Sequence, residues 1–303
     1  MEHGKSPAWH RGQPLLKPRS VIGFFAVVFL GQLTAYASGS DSAVKDNHRE
    51  LTFVPLNPAR GDAAPQAGVL WGNIRANVWS GAIIKFRDGF QSPPHIHNVT
   101  YRGVVIDGQV HNDDPVAAKQ WLGPGAYWSQ VAGEAHITAA KPGASATVFL
   151  EILSGPYLVK PTDDAFDTGE QSVNVAYDNL VWVTASGSLA DSNARSARTY
   201  LWQQGAHSGS LLRLAAGASV SVQADAPLRL VGIRGELSVR AAAQPAKPLH
   251  RARYQHLPAA DIHDLQCHGA TVCLSYISAL GTYRFVPDTQ TQREDSNPLA
   301  TSN

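Results

Sequence analysis

The sequence predicts an all-β protein that consists of two similar antiparallel barrels. Only 16% of its 303 residues are charged, and 26 Gly and 19 Pro interrupt the chain throughout. Short apolar runs alternate with Gly, Pro, Asn and Asp at intervals of about 8 to 15 residues, a spacing typical of sandwiches and barrels. No segment shows the sustained periodicity of an amphipathic helix, which argues against a helical fold.

Five apolar runs have the length and the β-branched or aromatic content of strands. They are Gly68–Trp71, Ala82–Phe86, Arg102–Ile106, Ala146–Ile152 and Leu180–Val183. A repeat extends this pattern to the rest of the chain, because the stretch that begins at Gly81 is similar to the one that begins at Gly209. In both, apolar residues lead to a basic residue and then to a second Gly.

The repeat predicts two β-domains, residues 50–190 and 191–287. The segment 184–198 is rich in Ser, Ala and Asn and is the predicted linker. The polar segment 288–303 is predicted to be a loose tail.

The first 37 residues have the layout of a signal peptide. Four Lys and Arg residues and one acid precede the apolar run Val21–Leu33, which is shorter than the roughly 20 residues that span a bilayer. Ala35–Ala37 then supplies a small-x-small cleavage site. We therefore expect an exported protein, periplasmic or secreted, with no membrane attachment after cleavage; an uncleaved anchor is the alternative.

Export can be tested by mass spectrometry of the mature protein. Cleavage after Ala37 should leave Ser38 as the first residue. Recovery of a chain that retains Met1 in a membrane fraction would contradict the prediction.

Charge and composition limit the classes of partner. The chain has 25 Lys and Arg against 24 Asp and Glu, and no basic patch stands out, which argues against nucleic acid. A small-molecule substrate or ligand is expected, and a homodimer is left open.

Three histidines are candidate metal ligands. His95 and His97 lie in an extended stretch, in which alternate residues point to the same face. His136 ends a later strand-turn-strand pattern and is the candidate third ligand.

The spacing around these histidines resembles that of the cupin superfamily. The first cupin motif is G-x5-H-x-H-x3-E-x6-G, and Gly89, His95, His97, Tyr101 and Gly108 have its spacing, with Tyr101 in place of Glu.

The second cupin motif, G-x5-P-x-G-x2-H-x3-N, is matched in part. Gly125, Gly133 and His136 agree with it, whereas Val131 and Ala140 replace its Pro and Asn. The surrounding sequence is similar to the DUF4437 family and includes the segments HIHNVTYRGVVI and SGPYLVKP. Through that family it resembles the cupin half of ChrR-type anti-sigma factors and the acetylacetone-cleaving enzymes.

The resemblance implies a bicupin made of two jelly-roll barrels, with one divalent ion, Fe(II) or Zn(II), bound by His95, His97 and His136. Because Tyr101 replaces the usual Glu ligand, three neutral imidazoles would leave the ion its full charge and open positions. An Fe(II) site for a diketone-like chelate and a hydrolytic Zn(II) site both fit.

Three further residues are candidates for catalysis. Tyr101 could hydrogen-bond the substrate or a metal-bound water, or simply form part of the wall. Gln130 lies an even number of residues before His136 and would face inward on an unbroken strand, although Gly133 interrupts it. Glu134 is the third candidate, with an exposed turn acid as the alternative.

The second domain is predicted to be degenerate. Gln223 and Asp225 stand at the repeat positions of the two histidines of the first motif. Cys267 and Cys273 are close enough in sequence for a disulfide across a hairpin, with two reduced thiols as the alternative.

Two functions are therefore expected as alternatives. The first is an exported metal-dependent enzyme, oxygenase-like or related, for a small oxygen-chelating compound. The second is a non-catalytic, sensor-like metal- or ligand-binding module.

Overall fold

The computed structural model describes residues 50–241 and 244–286, and this part is almost entirely β. The predicted signal peptide and tail lie outside the described residues. The strands are β1 (Val54–Pro55), β2 (Gln66–Trp71), β3 (Ser80–Phe86), β4 (Ile96–His97), β5 (Tyr101–Asp107), β6 (Val110–Asp113), β7 (Tyr127–Gln130), β8 (Ile137–Ala140), β9 (Ala146–Ile152), β10 (Val159–Lys160), β11 (Val173–Val175), β12 (Ser196–Gln204), β13 (His207–Leu214), β14 (Ser219–Ala224), β15 (Leu228–Arg234), β16 (Glu236–Ala241), β17 (Lys247–Leu249), β18 (Tyr254–Leu257), β19 (Ile262–His268), β20 (Cys273–Leu280) and β21 (Tyr283–Val286). Short 3-10 helices span Pro58–Ala63, Thr162–Asp164 and Tyr177–Asn179.

The strands form antiparallel sheets, each drawn from one half of the chain. A seven-stranded sheet, in the order β1-β2-β3-β9-β5-β7-β11, and the pairs β6-β8 and β10-β4 come from the first half. Two five-stranded sheets, β12-β13-β20-β15-β18 and β17-β16-β19-β14-β21, come from the second. The all-β jelly-roll prediction is confirmed. Among the described residues no helix has the length and apolarity needed to cross a membrane.

The repeat seen in the sequence has a structural counterpart. The pairing β3-β9-β5 of the first half recurs as β13-β20-β15 in the second, with all pairs antiparallel. Gly81 and Gly209 lie in β3 and β13, which are the corresponding strands.

The packing of the central strands explains why they are apolar without alternation. Val105 and Val148 are opposite each other in β5 and β9 and face the core of the first half. Their neighbours Val104 and Phe149 point the other way, into a second cluster that includes Tyr276 of β20. Both faces of these strands are buried, so both carry apolar residues.

Closure into barrels is the part of the fold prediction that is wrong. The seven-stranded sheet ends at β1 and β11, and the two later sheets end at β12 and β18 and at β17 and β21. In the described part of the chain, the edge strands of facing sheets do not pair by backbone hydrogen bonds. Interdigitating side chains hold the facing sheets together instead.

The segment before the predicted linker also differs from expectation. Leu180–Val183 is not a strand, and Val183 makes only isolated bridges to Leu189 and Arg198. The 3-10 turn that follows β11 ends the strand pairing. Trp182 instead packs against Arg213, whose Cζ lies 5.0 Å from the centroid of the tryptophan ring. The predicted linker, 184–198, overlaps the start of β12.

Cys267 and Cys273 form a disulfide with a Cα–Cα distance of 5.6 Å. They do not bridge a hairpin, since β19 and β20 belong to different sheets. The bond therefore ties together the two facing sheets of the second half, next to a turn at Gly269 with φ of 74°.

Candidate metal centre

Backbone pairing brings His95, His97 and His136 together inside the first half. His95 and His136 form a reciprocal antiparallel bridge, with both N–H···O distances 3.0 Å. His97 lies in β4, and its carbonyl accepts a hydrogen bond from the Gly133 amide at 2.8 Å. The ring centroids are 4.4 to 5.2 Å apart, and one ring nitrogen of each histidine lies within 4.8 Å of the others.

All three imidazoles are oriented by the same kind of hydrogen bond. Each Nδ1 lies within hydrogen-bond distance of a backbone carbonyl oxygen, which fixes Nδ1 as the protonated nitrogen. The carbonyls belong to Pro93, Leu158 and Glu134, at 2.8, 2.9 and 3.1 Å respectively. Each Nε2 is therefore the unprotonated nitrogen, which is the form of histidine that binds a metal ion.

The electrostatic environment keeps these rings neutral. Burial lowers the pKa of His95, and burial together with the neighbouring imidazoles lowers that of His97 still further. For His136, burial and the proximity of His95 lower the pKa to about 3. At neutral pH no proton competes for the ligand nitrogens. This chemistry fits a divalent ion such as Fe(II) or Zn(II).

Tyr101 occupies the position beside this cluster where the motif carries Glu. Its hydroxyl lies 3.3 Å from Nε2 of His136 and donates to Oδ1 of Asn112 at 2.7 Å. Burial raises the pKa of Tyr101, so the phenol stays neutral.

A second phenol, Tyr157, faces the cluster and was not predicted. Its ring stacks on His97 with centroids 4.2 Å apart, and its hydroxyl lies 3.0 Å from Nε2 of His97. No motif spacing points to Tyr157, because only the tertiary pairing of β10 with β4 carries its segment to the histidines.

Gln130 contributes to the site through a buried amide network. It pairs directly with Tyr101 across β7 and β5, so strand register rather than its spacing from His136 brings it inward. Its Oε1 accepts from Nδ2 of Asn112 at 2.8 Å. Asn112 Oδ1 accepts from both Tyr101 and Thr138. Asn112 and Thr138, paired across β6 and β8, were not predicted either.

The Glu134 carboxylate is not part of this cluster. It is exposed and bonds the hydroxyl and the backbone amide of Ser172. What Glu134 offers the centre is its carbonyl oxygen, the acceptor for His136.

The cluster forms part of the wall of a cavity of about 240 Å³. His95, His97, Tyr101 and Tyr157 line it. The other walls are largely apolar and include Ile84, Phe86, Phe90, Trp128, Val148 and Leu150. Its size suits a small organic ligand.

The second half has no equivalent set of metal ligands among the described residues. An apolar cluster that includes Val220, Val222 and Leu265 fills its interior. Asp225, at the repeat position of His97, is exposed and bonds Thr282 at 2.7 and 2.8 Å.

Residues 46–286 match the model of a family described as a domain of unknown function, DUF4437. The chain belongs to the DUF4437 family of cupins. The metal-ligand geometry of this DUF4437 protein agrees with the cupin motifs from which the resemblance was drawn. No curated relative matches it in sequence.

Solved structures share the fold of this cupin. A putative dioxygenase from Nostoc punctiforme is similar with a TM-score of 0.54 and 13% identity, over 75% of this chain and 74% of that one. Lactobacillus farciminis oxalate decarboxylase, in a formate complex, is similar with a TM-score of 0.53 and 9% identity, over 82% of this chain and 89% of that one. A 7S globulin from Momordica charantia is similar with a TM-score of 0.51 and 10% identity, over 77% of this chain and 84% of that one. A fold shared by enzymes and a globulin does not decide function.

Proposed function

We propose that this cupin is a metal-dependent enzyme, of oxygenase-like or related activity, that acts on a small compound chelating through oxygen atoms. The observation that carries the proposal is the set of three histidines whose ligand atoms lie within 4.8 Å of one another, each ring oriented by a carbonyl at its Nδ1. A divalent ion held there would supply Lewis-acid polarisation, and Fe(II) would add redox chemistry.

The protein groups have distinct tasks in this proposal. The carbonyls of Pro93, Leu158 and Glu134 hold the ligand tautomers. The neutral hydroxyls of Tyr101 and Tyr157 lie within 3.3 Å of ligand nitrogens and can orient an oxygen of the bound compound. The apolar walls exclude water from that compound.

Export to the periplasm or the medium completes the proposal. The layout of residues 1–37 supports it, with the basic segment, short apolar run and cleavage site described above. A disulfide between Cys267 and Cys273 is typical of an oxidising compartment.

The activity can be tested by oxygen uptake. The purified mature protein is loaded anaerobically with Fe(II) and given a panel of 1,3-diketones, with the Zn(II)-loaded protein as control. Uptake that depends on both iron and diketone is expected. A protein that binds the ion but turns over none of the panel would favour the sensor-like module instead.

Tyr101→Phe is expected to retain the metal and to lower turnover. The change removes a hydroxyl close to His136 but no ligand nitrogen, and Asn112 Oδ1 keeps its bond from Thr138. Metal content and kcat are measured on the same sample. Tyr101→Glu should hold the ion more tightly, because carboxylate adds a charged ligand, and should lose activity on enolic substrates.

Loss of metal in Tyr101→Phe would contradict this assignment, because Tyr101 would then be a fourth ligand. Tyr157→Phe is the matched variant, because the Tyr157 hydroxyl lies beside a ligand nitrogen in the same way.

A further inference from the structure

The lining of the metal cavity carries a positive charge and no negative one. Among the residues that line it there is no Asp or Glu, and the histidines and tyrosines of its wall are neutral at pH 7. Arg60 is the one lining residue with a permanent charge. A divalent ion bound there would therefore have a guanidinium, and no protein carboxylate, beside it in the cavity lining.

Arg60 lies on a segment that is held in place. It belongs to the 3-10 helix Pro58–Ala63, which connects β1 and β2. The Leu56 amide donates to the Pro65 carbonyl at 2.8 Å and closes this loop at its base. The Gln66 side-chain amide donates to the Ala64 carbonyl at 3.0 Å. These contacts fix the backbone at Arg60, which is itself exposed and lines the cavity from this segment.

Within residues 50–241 and 244–286 the Arg60 guanidinium has no hydrogen-bond or ion-pair partner. An arginine that is satisfied elsewhere would have to give up a carboxylate before it could bind a ligand. Arg60 has none to give up, so its five donors are available to a ligand in the cavity.

We infer that the compound bound in this cavity is an anion, a small carboxylate whose acidic group pairs with Arg60 while its other oxygens chelate the metal. The inference rests on the proposed function, since it requires a ligand at the three histidines. It adds the substrate class, because Arg60 is the charged group of a cavity lining that holds no carboxylate, and a carboxylate complements that charge where a neutral diketone does not. The apolar lining accommodates the carbon chain between the two polar ends.

Two probes that share a chelating group and differ in an acid test this inference. Acetylacetone and 4,6-dioxoheptanoate carry the same 1,3-dione chelate, and only the second bears a carboxylate, at the end of a short carbon chain. Both are titrated calorimetrically into the mature protein loaded with Zn(II), an ion without redox chemistry. We expect 4,6-dioxoheptanoate to bind roughly 2- to 5-fold more tightly, because an ion pair made by an exposed arginine contributes only a modest free energy.

Arg60→Met should abolish that preference and leave the affinity for acetylacetone and the zinc content unchanged. Arg60→Lys should retain part of it, because the charge remains. Arg75→Met is the matched control, since Arg75 is exposed and does not line the cavity, and it should behave like the wild type.

The outcomes separate the two claims. If acetylacetone binds and the carboxylate adds nothing, or if the preference survives in Arg60→Met, the inference is overturned while the proposed function stands. If neither dione binds the zinc-loaded wild type, the proposed chelating function fails and the inference fails with it.

Discussion

His97→Ala is expected to abolish metal binding, from one ion per chain to none. His97 is buried and its Nδ1 is held by the Leu158 carbonyl, so its Nε2 is a fixed ligand atom, and the change leaves only two histidines in the cluster. The loss should exceed the roughly 10- to 100-fold reduction in affinity that follows when only an outer hydrogen-bond partner of a ligand is removed. Metal content after dialysis against a fixed free-ion concentration measures it.

Two controls make this result specific. His250→Ala removes an exposed histidine outside the cluster, and Asp225→Ala changes the residue at the repeat position of His97. Both should keep one ion per chain. If Asp225→Ala also strips the metal, the second half is not degenerate. Circular dichroism of His97→Ala shows whether the fold survives the change.

Glu151→Ala is expected to lower the free energy of unfolding by about 3 kcal/mol or more. Glu151 is fully buried between the two halves of the chain. Its carboxyl accepts from Trp79 Nε1 at 2.7 Å, and from the hydroxyls of Tyr276 and Ser278, each at 2.5 Å. Truncation leaves three donors without an acceptor, and each unsatisfied buried group costs about 1–3 kcal/mol. Urea unfolding followed by tryptophan fluorescence measures the change.

Glu170→Ala is the matched control, because Glu170 is exposed and its loss should change stability little. A shift in the Glu151→Ala midpoint no larger than that of Glu170→Ala would contradict the role assigned to the buried carboxyl.

The same carboxyl makes a pH-dependent contribution. Burial raises the pKa of Glu151, so between its ordinary value and the raised one the folded state binds more protons than the unfolded state. Its contribution to stability is therefore fully present below the ordinary pKa and is lost as the pH rises through the raised one. Glu151→Gln should remove this part of the pH dependence, and an unchanged slope would contradict the assignment.

Much of the site could be predicted from the sequence because its ligands follow local rules. His95 and His97 share a face through strand alternation, and motif spacing identified His136 as the third histidine. The all-β fold follows from turn residues and short apolar runs, which are also local. The family resemblance, in turn, depends on the same spacings.

Which remote side chains meet these ligands depends on how the strands pair and pack in three dimensions. The β10–β4 pairing brings Tyr157 onto His97, and the β6–β8 pairing brings Asn112 beside Tyr101. Arg60 reaches the cavity because the loop between β1 and β2 folds over it. The same holds for Glu151, whose partners Tyr276 and Ser278 belong to the other half of the chain. Such contacts depend on strand register and on how the sheets face each other. Neither leaves a periodic signal in the sequence, because each is set by the packing of segments far apart along the chain.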